Sequence, residues 1–354
     1  MTCAPRPWPG RPERGPVRDR AITVLKVLLS IGLVALAFSN VDMAQVGAQL
    51  ASANPWLFLA ALGFYLLAIV VNGAKWQILL RAQNMIVPFR AVLEFLFIGF
   101  FFNNFLPANI GGDVMRGYGL ARYTDRSADA AVSVIVDRII GLMAYMSSAA
   151  VAALIVVNVS GRPELRSLEW VALISLLALG VAFAVMLSRR LRALIARLFE
   201  FRWLAPLAPI WGRISEAFNA YRFRYKSLLA AFGVALIGIV CTALVNWCLS
   251  LSMGGEIPLW AIFVLNPLIA LVLMLPISIG GLGVTQTIYP FFFSLVGVPA
   301  GHALAVSLMM QLIVFLGGLP GAVLWLRWET GRRSGRATTA EAAMPTESAE
   351  RKSA

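Results

Sequence analysis

The sequence contains little charge, few cysteines and a single histidine. Charged residues make up 13% of its 354 residues, against about a quarter in a soluble domain, while 60% are hydrophobic and the mean hydropathy is +0.80. This composition excludes a soluble globular enzyme. The one histidine, His302, argues against a histidine-rich metal site or a Ser-His-Asp triad. Cys241 and Cys248 share one apolar run, so the three cysteines imply no disulfide framework.

Long apolar runs take the place of the missing charge. A membrane-crossing helix needs about 20 apolar residues, so we predict a polytopic α-helical protein of the cell (inner) membrane. The net charge of +13 does not indicate nucleic-acid binding, because the basic residues lie between and beside the apolar runs, where they mark cytoplasmic loops. The runs are 21–38, 56–74, 91–106, 132–157, 168–187, 228–251, 259–279, 284–298 and 301–326.

The distribution of lysine and arginine predicts the orientation of the chain. Residues 1–20, rich in proline and arginine, and the tail 327–354 are expected to be disordered and cytoplasmic. Residues 39–55 contain no lysine or arginine and should face outward. Segment 188–227 carries nine basic and two acidic residues. It is predicted to be cytoplasmic, with an amphipathic helix on the anionic lipid surface.

Simple counting of crossings conflicts with this orientation. Five crossings from a cytoplasmic N-terminus would leave 188–227 outside, so one run must return to the side from which it entered. Run 91–106 is the candidate, because it leads into Pro107 and Gly111-Gly112 within an apolar stretch. Irregular backbone of this kind cannot face lipid. A dip over 91–122 that breaks at this motif restores the predicted orientation.

The same break occurs a second time. Leu106–Gly112 (LPANIGG) and Leu275–Gly281 (LPISIGG) are identical at five of seven positions. The tight return at 280–283 has no charge, which favours a second hairpin over 259–298, although two full crossings there would also serve.

We therefore predict an all-α fold of two membrane repeats, 21–158 and 159–326, the second containing the basic loop. Each repeat has three spanning helices and one broken re-entrant helical hairpin. Three crossings per repeat is an odd number, so the repeats are inverted relative to each other. This plan is typical of transporters whose substrate site lies where the breaks meet.

The breaks suggest how an anion could be held. A helix that restarts at Gly-Gly presents free backbone N–H groups, and its dipole favours negative charge. Arg116 and Arg122 follow the first break, and guanidinium groups bind phosphate bidentately. We predict a cradle for a lipid phosphate headgroup, without metal or cofactor. In the alternative, the asparagines bond to the freed backbone and both arginines reach the cytoplasmic headgroups. The predicted substrate-binding residues are Asn103, Asn104, Asn109, Gly111, Gly112, Asp113, Arg116, Arg122, Asp137, Arg138, Ser278, Gly280, Gly281 and Gln286.

Asp137 and Arg138 lie inside the fourth run, where ionisable residues are functional candidates and are often paired. Adjacent helix positions point about 100° apart, so one of the two could meet Arg116 or Asp113; a purely structural tie is the alternative. Lys75, at the end of the second run, is interpreted as a cytoplasmic anchor.

At these motifs the sequence resembles the flippase-like family named for the membrane region of lysylphosphatidylglycerol synthetases, also known as a UPF-type integral membrane family. The resemblance covers about residues 20–326 and implies lipid translocation. In the synthetases such a region moves an aminoacylated phospholipid between leaflets, and other members are linked to polyprenol-phosphate sugar metabolism. The family often has Arg-Glu where this chain has Thr285-Gln286, which argues against a charged role there. The resembling segments are Asn103–Pro107, Gly111–Arg116, Val136–Leu142 and Leu275–Gly283.

The function predicted from these features is a lipid flippase or transporter, not an enzyme, that moves a phospholipid or a polyprenol-phosphate-type lipid between leaflets. Any energy would come from an ion gradient, a partner or the lipid gradient. The alternative is a membrane-embedded enzyme or accessory protein of polyprenol-phosphate or glycolipid metabolism. The enzyme would use Asp113 and Asp137; an accessory protein would bind a lipid-modifying enzyme through 188–227. Only a short tail follows the last run, so no soluble synthetase domain is expected. Oligomeric state is left open.

Overall fold

The computed structural model describes residues 43–105, 111–160, 166–198, 208–221, 223–274 and 280–342. These residues form twelve helices and no strand, which confirms the predicted all-helical class. The helices are α1 (Met43–Ala51), α2 (Pro55–Ala82), α3 (Phe89–Phe105), α4 (Gly111–Thr124), α5 (Ser127–Ser160), α6 (Arg166–Leu187), α7 (Arg189–Leu198), α8 (Ala208–Asn219), α9 (Tyr225–Ser252), α10 (Leu259–Leu273), α11 (Val284–Ser294) and α12 (Ala300–Ala342).

Four helices within the described part of the chain are long and apolar enough to cross a membrane. They are α2, residues Ser127–Ile155 of α5, α9, and residues Ala300–Trp328 of α12. These helices contain or overlap four of the predicted runs, so a multi-pass membrane protein is confirmed. The first predicted run, 21–38, and the centres of the two breaks, 106–110 and 275–279, lie outside the described residues.

Hydrogen bonds show which helix ends lie together. Asn54 caps the first turn of α2 with its side chain, and its backbone N–H donates to the carbonyl oxygen of Ser252 at the end of α9 (2.9 Å). Arg126, just before α5, donates to the carbonyl oxygens of Gln83 and Asn84, just after α2. We call these the Asn54 end and the Arg126 end. It follows that α2 and α9, which share the most extensive helix contact, are antiparallel.

Helices α3 and α4 form an antiparallel pair that glycines hold close together. Gly99 faces Gly112, and the Phe95 ring packs over Gly119, so that a Cβ on Gly112 or Gly119 would overlap these neighbours. Such a close crossing requires glycine. Because α3 follows the turn after α2 and α4 ends at Thr124, the open side of the pair lies at the Arg126 end.

Helix α12 packs along α3 and extends beyond the predicted last run. A Cβ on Gly318 would overlap the Asn104 side chain, and one on Gly321 would overlap the Phe97 carbonyl oxygen. The helix then continues to Ala342. It thus covers residues 327–342 of the segment that the sequence predicts to be a disordered tail. A helix that is already nucleated lengthens at little cost, and this segment contains no proline.

The basic segment 188–227 contains two helices, α7 and α8, within its described residues. The sequence of α7, RRLRALIARL, alternates arginine with apolar residues at helical spacing. The predicted amphipathic helix is thus present. Its position on a lipid surface stays a prediction.

Candidate intramembrane charge cluster

Five charged side chains from three helices meet inside the bundle. Lys75 of α2 pairs with Asp137 of α5 (Nζ to Oδ1, 3.0 Å), and Arg116 of α4 pairs with the other oxygen of Asp137 (Nη1 to Oδ2, 2.8 Å). Arg116 also pairs with Asp113, one turn earlier on α4 (3.0 Å), and Arg138 pairs with the second oxygen of Asp113. We call this set the charge cluster. It is continuous, since each carboxylate joins two cations.

Most of the charge cluster is buried and lies well inside the helices. The side chains of Lys75, Arg116 and Asp137 are less than a tenth exposed. At 1.5 Å per residue, Lys75 lies about 10 Å along α2 from its end and Asp137 about 15 Å along α5 from its start. Charges at such depth are costly unless they are paired. Three cations against two carboxylates leave the cluster one positive charge in excess.

The sequence positions these groups through simple helical geometry. Asp113 and Arg116 are three residues apart and share one face of α4. Asp137 and Arg138 are adjacent on α5, so they point in different directions and bind different partners. The Arg116 guanidinium also lies 4.9 Å from the centre of the Trp76 ring, a cation–π contact that holds it against α2.

A cavity of about 370 Å³ opens beside the charge cluster. Its size falls in the range of small-molecule sites. All five cluster residues line it, and helices α2, α3, α4 and α5 form one side. The residues of α9 and α10 that line the cavity are mostly apolar. They include Val234, Ala235, Ile239, Ala270 and Leu273. The cavity therefore combines a charged end with an apolar wall.

Most of the predicted site residues after the first break come together at this cavity. Four of them, Asp113, Arg116, Asp137 and Arg138, belong to the charge cluster. The predicted contacts between the two helices are present, since Asp137 pairs with Arg116 and Arg138 pairs with Asp113. Gly112 lines the same cavity. Gly111 begins α4. Arg122 lies outside the cluster, where it donates to the Tyr118 hydroxyl (3.0 Å) on the surface.

The predicted asparagines are engaged with the backbone. The Asn103 side chain accepts from the Gly112 N–H (2.8 Å), so the N–H group that we expected to face an anion already has a partner. Asn104 donates to the carbonyl oxygen of Val314 on α12 (3.4 Å). The Asn103 contact matches the alternative in which polar side chains satisfy backbone freed by a break, whereas Asn104 joins α3 to α12. Asn109 and Ser278 lie outside the described residues.

The second break is built from neutral groups. Gln286 is buried and accepts from the Gly283 N–H (2.7 Å), which caps α11. Gly280 has a positive φ of 58° and accepts from the Gln311 side chain (3.2 Å), and Gly281 accepts from the Thr285 hydroxyl (2.9 Å). Gly280, Gly281 and Gln286 thus shape the second break and lie apart from the charge cluster.

Lys75 is the residue that sequence reasoning placed wrongly. It is not a surface anchor, since it is buried and paired with Asp137. The apolar run ends just before it, but the helix continues, and Trp76, Leu79 and Leu80 beyond it are completely buried. A lysine followed by further core residues on the same helix was the available signal.

A second polar network, without charge, joins α9, α10 and α11. Asn246 donates to Asn266 (2.9 Å) and accepts from the Tyr289 hydroxyl (3.0 Å), and Asn266 donates to the Thr242 hydroxyl (3.2 Å). Such bonds between apolar helices typically stabilise packing. No three His, Cys, Asp or Glu side chains in the described part of the chain are grouped so as to hold a metal ion.

Apolar spanning helices around a buried, paired charge cluster define a polytopic membrane protein with an intramembrane polar site. The chain belongs to the family described as the lysylphosphatidylglycerol synthase TM region, which matches residues 23–321. The resemblance stated from the motifs is thereby confirmed.

Three relatives carry the description UPF0104 membrane protein. The one from Pyrococcus horikoshii is 23% identical over 322 residues, covering 86% of this chain and 96% of the relative. The one from Methanothermobacter thermautotrophicus is 26% identical over 310 residues, covering 82% and 90%. The one from Methanocaldococcus jannaschii is 22% identical over 331 residues, covering 89% and 97%. The similarity thus extends over nearly the whole length of each relative.

Proposed function

We propose that this protein is a lipid flippase or transporter that binds the phosphate of an anionic lipid at the charge cluster and moves that lipid between leaflets. The observation that carries this proposal is the single positive charge in excess, beside a cavity inside the bundle. One phosphodiester monoanion would neutralise the cluster. Arginine supplies paired donors that suit phosphate oxygens.

The walls of the cavity support an amphiphilic substrate over a small soluble anion. The charged side is formed by α2, α4 and α5, whereas α9 and α10 present mainly aliphatic side chains. Both carboxylates of the cluster are held in ion pairs, an arrangement that suits charge neutralisation better than acid–base catalysis. We therefore favour transport over a reaction on the lipid.

The contacts between helices support the inverted repeat. When α2, α3, α4 and α5 are matched with α9, α10, α11 and α12, the contacts also match in pairs. Helix α3 packs on α12 as α10 packs on α5, and α4 packs on α5 as α11 packs on α12. The short helices follow the same rule, since α1 contacts α12 and α8 contacts α5. Helices α2 and α9 contact each other, as two copies of one helix do across a two-fold axis.

The positions of the breaks support re-entrant hairpins. The first break contacts α12 through Asn104 and Val314, and the second through Gly280 and Gln311. Both contacts lie near the middle of the candidate span Ala300–Trp328. The breaks also touch each other, because a Cβ on Gly280 would lie 2.9 Å from the Asn104 carbonyl oxygen. In our proposal both hairpins turn back at mid-depth, as in broken-helix transporters.

The positive-inside rule then places the Arg126 end in the cytoplasm of the proposed protein. Arg224, at the start of α9, lines the same surface pocket as Arg126 and Gln83, so the basic segment 188–227 ends there. The charge cluster lies closer to this end than to the Asn54 end. An anionic lipid would therefore meet it from the cytoplasmic leaflet.

The proposal is tested by neutralising the excess charge without uncovering a buried one. Arg138 is the most exposed cation of the cluster (38%), and Asp113 keeps Arg116 as a partner when Arg138 is replaced. In vesicles with fluorescent phosphatidylglycerol, we expect Arg138→Gln to slow transbilayer movement of that lipid at least about tenfold. This factor corresponds to the free energy of one hydrogen bond to a charged group. Arg90→Gln removes an arginine that is 90% exposed and should change nothing. Equal rates for Arg138→Gln and the unaltered protein would refute the proposal.

A further inference from the structure

The cavity continues beyond the charge cluster along one face of α2. Lys75, Asn72 and Tyr65 all line it. Asn72 lies one turn, about 5 Å, from Lys75 along the helix axis, and Tyr65 lies about 10 Å further toward the Asn54 end. The polar side chains thus form a row that leads away from the phosphate position.

Two groups in this row have unused hydrogen-bonding capacity. Tyr65 is only 7% exposed, and its ring packs against Gly317. Among the described residues, neither its hydroxyl nor the Asn72 carboxamide has a hydrogen-bond partner. A polar side chain as deeply buried as that of Tyr65 usually has one, whereas Asn72 is half-buried. Groups that line a cavity without a partner are suited to a ligand that supplies it.

Two further hydroxyl groups line the cavity from other helices. Tyr145 of α5 and Thr242 of α9 line it. None of these four residues is charged. The polar side chains that line the cavity beyond the charge cluster are therefore neutral.

We propose that Asn72 and Tyr65 form a subsite for hydroxyl groups, so that the preferred lipid is a monoanionic phosphodiester whose headgroup is a polyol. This inference rests on the proposed function, because the phosphate must first occupy the charge cluster. A hydroxyl both donates and accepts, and so does the carboxamide of Asn72. With the phosphate at the charge cluster, the first hydroxyl groups of the headgroup would lie within reach of Asn72. A headgroup as large as a sugar ring would extend further, toward Tyr65. The subsite distinguishes lipids of equal charge.

Three lipids of known headgroup test the subsite. Phosphatidylinositol and phosphatidylmethanol carry the same single negative charge, but only the first has headgroup hydroxyls. Phosphatidylcholine, which has no net charge, serves as the carrier. Binding of each anionic lipid to the full chain in phosphatidylcholine nanodiscs is measured by native mass spectrometry. We expect phosphatidylinositol to bind about threefold to tenfold more tightly than phosphatidylmethanol, which corresponds to one or two neutral hydrogen bonds.

The variants Asn72→Leu and Tyr65→Phe should each lower this ratio of affinities, Asn72→Leu to about one. Arg90→Gln should leave the ratio unchanged. Tyr65→Phe removes a single oxygen, so it remains informative if Asn72→Leu fails to fold. Equal binding of the two anionic lipids by the unaltered protein overturns the subsite but leaves the proposed function intact. A ratio that survives both variants also overturns it. If neither anionic lipid binds better than phosphatidylcholine, the proposed function fails as well.

Discussion

Asp137 shows at the scale of single residues why the charge cluster is sensitive to change. Its two oxygens bind cations from two different helices, Lys75 of α2 and Arg116 of α4. Replacing a buried ion pair as a whole often costs little, but removing one partner leaves a charge without compensation. The carboxylate therefore ties three helices together only as long as it is ionised.

We expect Asp137→Asn to lower the free energy of unfolding by about 3–5 kcal/mol, the usual cost of leaving a buried charge unpaired. Glu94→Gln removes an exposed carboxylate paired with Arg90 and should cost less than about 1 kcal/mol. Thermal unfolding in detergent measures both. Adding Lys75→Met to Asp137→Asn should restore part of the loss, since one uncompensated cation disappears. If Asp137→Asn is no less stable than Glu94→Gln, the cluster is not the buried unit described here.

The site could be predicted from the sequence only where charge and position agreed. Asp137 and Arg138 were identified as ionisable groups inside an apolar run, and Asp113 and Arg116 as charged groups that follow the first break. Lys75 was missed because a lysine at the end of an apolar run normally reaches the lipid surface. Which groups pair depends on how α2, α4 and α5 pack, and hydropathy does not contain that information.

Helices α3 and α4 illustrate the scale of the element. The two helices approach so closely that the backbone of one contacts the backbone of the other at Gly99 and Gly112. This contact holds Arg116 over the cavity, because it fixes the rotation and depth of α4. Glycine at these positions therefore serves the geometry of the charge cluster as well as the packing of the hairpin.

We expect Gly112→Ala to destabilise the protein by about 1–3 kcal/mol, the cost of forcing an extra methyl group into a packed contact. The new Cβ would overlap the Gly99 carbonyl oxygen and the Asn103 side chain. Gly63→Ala is the matched control in α2, where a Cβ meets nothing within 4 Å. It should be neutral or slightly stabilising. Melting temperatures in detergent compare the two. Equal melting temperatures would contradict the close crossing.

The elements themselves followed from the sequence more readily than their ends. Four long apolar runs became helices that can span a membrane, and the run 91–106 became α3, followed by a separate α4. The proline and paired glycines indicated the interruption because they disfavour a continuous helix. Helix α12 continues past the last apolar run, because polar composition alone does not stop a helix that packing has already nucleated.

At the scale of the whole molecule, the two halves of the proposed repeat differ in their chemistry. The first break leads to the charge cluster, while the corresponding Gly-Gly of the second break is followed by Thr285 and Gln286, which bond to nearby backbone. The remaining polar contacts of that half, around Asn246, are neutral. In the proposed transport cycle, an anion would thus meet one charged binding site rather than two. In the proposed orientation the charge cluster lies nearer the cytoplasmic leaflet, so the binding site is asymmetric although the proposed repeat is symmetric.

The proposed orientation of the whole molecule predicts which residues can be reached from each side of the membrane. Single cysteines are placed at Tyr123, Phe223 and Trp56, whose side chains are exposed, in a chain whose three native cysteines are alanine. A membrane-impermeant maleimide should label Trp56→Cys in spheroplasts, and Tyr123→Cys and Phe223→Cys only in inside-out vesicles. Phe223 reports the basic segment and Tyr123 the return of α4. If Phe223→Cys behaves as expected but Tyr123→Cys reacts in spheroplasts, the first hairpin crosses the membrane. A cytoplasmic basic segment requires an even number of crossings before it, so a different run would have to turn back instead. The inverted repeat would then have to be abandoned.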